Sequence, residues 1–155
     1  MKTMKRTILL IIALVALSVV SCGPSYTMKA PDSFKRFEKS NDFKMITADG
    51  VMLKAREVDN YPEASLEFWT DAVSQHLEAQ GYLVQSEKCF KTEKGLDGCT
   101  VNFLLPHGAQ DWVLSETMFV VDDKVVLVET AGPYDRFAVI EEDLGKAVLT
   151  FNPNL

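Results

Sequence analysis

The sequence predicts an α+β domain, an antiparallel sheet of about six strands packed with two amphipathic helices. Three observations predict it. Asp49-Gly50 stands between two β-prone runs in ITADGVML, a strong short-range signal for a hairpin. Next, YPEASLEFWTDAVSQHLEAQG carries apolar residues at helical spacing. Four further β-prone segments then precede a second helical stripe, and strands grouped in this way suit an antiparallel sheet covered by helices.

Taken in order, a two-residue type I′ turn at Asp49-Gly50 pairs Ile46 with Leu53 and Ala48 with Val51, so strands of roughly 42–48 and 51–58 share an apolar face. The first helix opens with Pro62 in its first turn, has Glu63 and Glu67 near its positive end, and stops at Gly81. Leu66, Trp69, Val73 and Leu77 form its buried stripe, widened by Phe68 and Ala72. Strands follow near 82–91, 98–105, 111–121 and 124–131, the last two joined by a tight turn at DDK. A second helix begins near Asp135, which can cap it, and buries Phe137, Ile140, Leu144, Ala147, Val148 and Phe151.

The stretches GVMLKAREVDN, LEAQGY and SETMFVVDDKVVLVETAGPYDRFAVIEEDLGKAVLTF resemble the PsbP-like α/β/α sandwich of photosystem accessory subunits and several bacterial lipoproteins. The resemblance extends over residues 34–151 and rests on patterns of polarity. It implies the order hairpin, helix, meander, helix. By analogy it also implies a non-enzymatic accessory or assembly role.

The N-terminus has a different character. Lys2, Lys5 and Arg6 precede an uncharged run from Ile8 to Val20, the layout of a secretory signal; these thirteen residues fall short of the about 20 that span a bilayer. The run ends in VVSC, and Val19, Val20, Ser21 and Cys22 resemble the bacterial lipoprotein signal, the lipobox. That resemblance implies cleavage before Cys22, an acyl-glycerol group on its sulfur, and a second acyl group, palmitate for example, on its amine. Two or three chains make attachment stable where one would not. Gly23 in place of an aspartate favours the outer membrane. The chain thus divides into a signal peptide at 1–21, a tether at 22–33 and one globular domain at 34–155. The tether holds Pro24 and Pro31 and reaches roughly 40 Å when extended.

Without residues 1–21 the chain keeps 13 Lys and Arg against 22 Asp and Glu, a net charge of −9. The basic residues are interspersed with acids, which argues against nucleic acid as a partner. Export leaves Cys89 and Cys99 as the remaining thiols, flanking the charged segment FKTEKGLDG. They are expected to face each other across two antiparallel strands and form a structural disulfide.

Little in the sequence points to chemistry, and no catalytic residue, cofactor or metal site is assigned. His76 borders the first helix's apolar stripe, and His107 lies in LLPHGAQDW without a neighbouring Ser or Cys nucleophile. His76, His107, Cys89 and Cys99 match no familiar zinc spacing. Glu141-Glu142 and Asp122-Asp123 read as a solvated helix face and a turn. Polar and aromatic residues gather away from the stripes only in the 106–112 loop and the GPYDR turn, which makes His107, Trp112, Tyr134 and Arg136 the candidate binding residues. The function expected is a lipid-anchored, non-enzymatic binding or assembly module of the cell envelope, facing the periplasm with an envelope protein as partner. The alternative is a small-ligand carrier or a hydrolase with a non-local site.

Overall fold

A computed structural model describes residues 26–37 and 43–153. The signal segment, the lipobox and Cys22 lie outside the described residues. The strands are β1 (Tyr26–Thr27), β2 (Lys35–Arg36), β3 (Lys44–Ile46), β4 (Met52–Asp59), β5 (Leu83–Lys91), β6 (Asp97–His107), β7 (Gln110–Val121), β8 (Lys124–Pro133) and β9 (Asn152–Pro153). Two helices interrupt them, α1 (Leu66–Glu78) and α2 (Tyr134–Leu149). The main sheet has seven strands in the order β2-β3-β4-β8-β7-β6-β5, antiparallel throughout, and β1 pairs with β9 in a small second sheet. The fold is therefore α+β, with more strands than the six expected.

Alternation along the central strands divides the core into two layers. On one face Leu53, Val113, Phe119, Val126 and Val128 pack with Phe137, Leu144 and Phe151 of the α2 side. On the other, Val101, Phe103, Met118, Val125 and Leu127 lie under Leu66, Trp69, Val73 and Leu77 of α1. Each large side chain so buried contributes roughly 1.5–3 kcal/mol relative to exposure. Phe119, fully buried, stacks on Phe151 with ring centroids 3.9 Å apart.

Several boundaries differ from the sequence reading, each for a local reason. The first hairpin pairs Met45 with Leu53 and Ile46 with Met52, one residue out of the expected register. Gly50 alone in that turn has positive φ, +88°, whereas a type I′ turn needs it at both central residues. Thr47 instead accepts from Gly50 through its carbonyl and from Val51 through its hydroxyl, and its N–H donates to the Val51 carbonyl. This is a type I turn closed by a glycine bulge. Helix α1 starts at Leu66, after Pro62 and Glu63, because Ser65 caps it by accepting from the Phe68 N–H at 3.2 Å. Asn60 holds the preceding loop by bonding both backbone groups of Ala64 and accepting from Trp69 Nε1 at 2.8 Å. Phe68 does not widen the buried stripe; it is 56% exposed, edge-on to Trp69. Asp135 lies inside the first turn of α2, and no side chain caps that helix.

Two corrections bear on function. The 106–112 segment is not a loop: β6 runs to His107 and β7 starts at Gln110, with only Gly108-Ala109 between them. The span read as a tether also enters the fold, since Tyr26 is buried, pairs with Pro153, and stacks on Phe151 at 5.7 Å. Among the described residues no helix is long and apolar enough to cross a membrane.

Candidate functional site

Sheet register brings the sequence-predicted residues to one end of the molecule. Trp112 pairs with Pro133 on β8, and Tyr134 and Arg136 follow at once in the first turn of α2. His107 stands at the exposed tip of the β6–β7 hairpin, just beyond this row. Arg136 Nε meets Asp135 Oδ2 at 3.2 Å, and its Nη1 is 3.8 Å from Asp49 Oδ1 in the β3–β4 turn. Both pairs are exposed and contribute about 1 kcal/mol or less. The same end carries Met52, two rows from Trp112 on the same face, and, on the opposite face at the far edge of the sheet, Leu83 at the start of β5. Met52, Leu83, Trp112 and Tyr134 are 38–55% exposed, so this end of the sheet presents apolar and aromatic surface beside a guanidinium. Cys89 and Cys99 occupy the opposite end, where register places them face to face and a disulfide joins them.

A second cluster lies on the α1 side of the sheet. Lys54, Glu129, Glu116 and Val101 form one row across β4, β8, β7 and β6. Glu129 Oε2 accepts from Lys54 Nζ at 2.9 Å and from Arg56 Nε at 3.2 Å. Glu116 is 4% exposed. Burial above all, then the charge and hydrogen bond of Glu129, pushes its pKa up to about 9, while Arg56 and Lys54 work the other way. Burial also opposes ionisation of Glu129, but the Lys54 hydrogen bond and the charges of Arg56 and Lys54 outweigh it and hold that carboxyl below its ordinary value. At neutral pH, then, Glu116 is a carboxylic acid that donates to the Glu129 carboxylate, and its Oε2 has no partner. A cavity of about 450 Å³ adjoins the pair, lined also by Trp69, Leu114 and His76. His76 is exposed and shares a 2.7 Å hydrogen bond with Gln80. Among the described residues that line this cavity, the titratable groups are Arg56, Asp59, His76, Glu116 and Glu129.

No protein-family model matches the chain, and neither does any curated protein. Solved structures do. The solution structure of the cyanobacterial PsbP protein CyanoP from Synechocystis sp. PCC 6803 superposes with a TM-score of 0.57 at 11% identity, covering 87% of this chain and 98% of that one. The fold is PsbP-like. Two crystal structures share it. PA94 from Pseudomonas aeruginosa, a protein of unknown function, has a TM-score of 0.56 at 14% identity over 81% of this chain and 96% of its own. The Saccharomyces cerevisiae Ran-binding protein Mog1p has a TM-score of 0.55 at 13% identity over 84% and 90%.

Within this PsbP-like frame the sequence reading named Trp112, Tyr134 and Arg136 but placed them on separate loops, and it passed over Glu116 and Glu129. A signal for that pair was present. Each glutamate stands six residues from the Asp122-Asp123 turn, at an inward position among apolar residues, so a symmetric hairpin must set them side by side. Among the described residues no group of His, Cys, Asp and Glu is arranged to hold a metal ion.

Proposed function

We propose that the chain is a lipid-anchored, non-enzymatic binding module of the bacterial cell envelope, facing the periplasm from the outer membrane and holding a protein partner at the sheet end that carries Trp112 and Tyr134. The observation that supports this reading is the exposure of Met52, Trp112 and Tyr134 at the sheet end that also carries Arg136. Aromatic residues, Met and Arg are the types enriched in protein interfaces and their hot spots. That a fold of this kind serves a Ran-binding protein is consistent with protein recognition. The anchor rests on the lipobox resemblance at Cys22 and the outer membrane on Gly23.

A photo-crosslinking residue placed at Trp112 or Tyr134 of the full chain in intact cells should trap one defined envelope protein. The same residue at Phe68, exposed at the opposite end of the molecule, should not, and Cys22→Ser should move the chain to the soluble fraction. Equal trapping from all three positions would remove the docking end from the proposal, and unchanged fractionation of Cys22→Ser would remove the anchor.

A further inference from the structure

On the face that α2 covers, a packed layer calls for aliphatic side chains, and the rows through Phe119 and Val113 supply them. Between these rows the sheet turns polar. Thr100 and Thr117 are paired in one row, and Asn102, Ser115 and Thr130 in the next. Ser115, Thr117 and Thr130 are each at most 8% exposed, so this is not simply the solvated half of a sheet. Helix α2 packs chiefly against β7 and β8, and the polar band continues from beneath it toward β5. A cavity of about 650 Å³ stands over the band, with Leu144 and Val148 of α2 among its walls, a size in the range of small-molecule sites.

Three details show what the cavity lacks. Asn102 Nδ2 donates to Glu141 Oε1 at 3.1 Å, but its Oδ1 is buried without a partner, an omission that costs about 1–3 kcal/mol. The Thr100 and Thr117 hydroxyls share one hydrogen bond of 2.7 Å; whichever donates, the other keeps an O–H to give. Gly145 lines the cavity from the middle of α2, where a glycine costs about 1 kcal/mol relative to alanine. A Cβ built on it meets nothing within 4 Å. No packing demands that glycine, and its effect is to leave the space open.

The floor thus offers hydroxyl and amide groups, one of them unmet, and charged side chains of both signs stand around it, Lys88 and Lys146 against Glu87, Glu141 and Glu142, beside the apolar Leu144 and Val148. With both signs interspersed in the lining, a charged ligand would leave water to meet like charge as well as opposite charge. A ligand with several hydroxyls and one apolar face would satisfy Asn102 and the threonine pair and lay that face against α2. We propose that the cleft between α2 and β5–β7 binds a neutral polyhydroxylated ligand of the saccharide class. This site is separate from the Trp112 end and does not depend on the anchor.

The test is saturation-transfer NMR on the detergent-solubilised full chain, with glucose and N-acetylglucosamine as neutral probes and acetate and methyl phosphate as charged ones. The sugars should receive saturation on their ring C–H groups and the charged probes should not. Thr117→Val, which removes one hydroxyl at constant shape, should weaken sugar binding about 3- to 10-fold. Gly145→Leu should abolish it while melting at or above the parent's temperature. Failure of both sugars to bind, preference for a charged probe, or undiminished binding by a folded Gly145→Leu chain would each overturn the proposal. If Thr117→Val does not fold, the Gly145→Leu result still decides.

Discussion

In the folded chain Glu116 keeps its proton up to about pH 9, first because it is buried and then because Glu129 beside it is charged; its ordinary value is 4.5. Between those two values the folded state binds one more proton than the unfolded state. Stability therefore falls as pH rises, by about 1.4 kcal/mol per unit. The contribution is fully present below the ordinary value and is lost progressively up to the raised one. From pH 6 to pH 8 the loss comes to about 3 kcal/mol, which for a domain of this size lowers Tm by roughly 10 °C. Glu116→Gln removes the titration yet keeps the shape, and its amide can still donate to Glu129. Denaturant melts of parent and variant at pH 6, 7 and 8 should diverge, with the variant's advantage growing by about 1.4 kcal/mol at each step. Groups that do not touch Glu116 are common to both chains and cancel in the difference. Parallel curves would refute the buried-acid account, as would a variant less stable than the parent at pH 8. Glu129 acts in the opposite sense: held below its ordinary value, it contributes stability that disappears as the solution is acidified through its folded pKa.

Phe119→Ala should cost about 3–5 kcal/mol in chemical denaturation, because it empties the space against Phe151 in a fully buried layer; a cost under about 1 kcal/mol would mean that the α2 layer collapses into the void. Replacing Cys89 and Cys99 together with serine should cost about 2.5–3 kcal/mol, the chain-entropy value for so short a loop. Two free thiols by mass spectrometry of the non-reduced parent would contradict the bond itself.

The meander and the closing helix were legible because their signals are local. Alternation along β5 to β8 and the Asp122-Asp123 turn define strand ends and facing residues, Cys89 opposite Cys99 among them. What was missed turns on longer or finer determinants. The first hairpin's register depends on whether Asp49 as well as Gly50 adopts positive φ, and on the Thr47 hydroxyl; composition decides neither. The burial of Tyr26 needs Phe43 and Phe151 as neighbours, the latter at the far end of the chain. A stretch with two prolines and small polar residues gives no hint of such a contact. Phe68 fell to a geometric near-miss, since it adjoins Trp69 in sequence but stands about 100° away around the helix. The candidate site was half legible: Trp112, Tyr134 and Arg136 were named, but their convergence required the β7–β8 register. Asn102 and the threonines read as ordinary strand residues until α2 was seen to cover only part of the sheet.

The pairing of β1 with β9 determines where such a protein can search. From Cys22 to Tyr26 is four peptide steps, about 14 Å at full stretch, and from Tyr26 onward the chain is committed to the core through Phe43 and Phe151. With a lipid on Cys22, as proposed, the domain rides on the bilayer surface and does not sweep a hemisphere above it. Its encounters become a problem in two dimensions, governed by lateral diffusion and by which surface turns toward the headgroups. Proteins in the same leaflet or pressed against it are within reach, and a soluble partner must come to the membrane to be met. Any pull along the anchor loads the β1–β9 pair and the Tyr26–Phe151 stack directly, so the attachment point and the α2 layer form one mechanical unit.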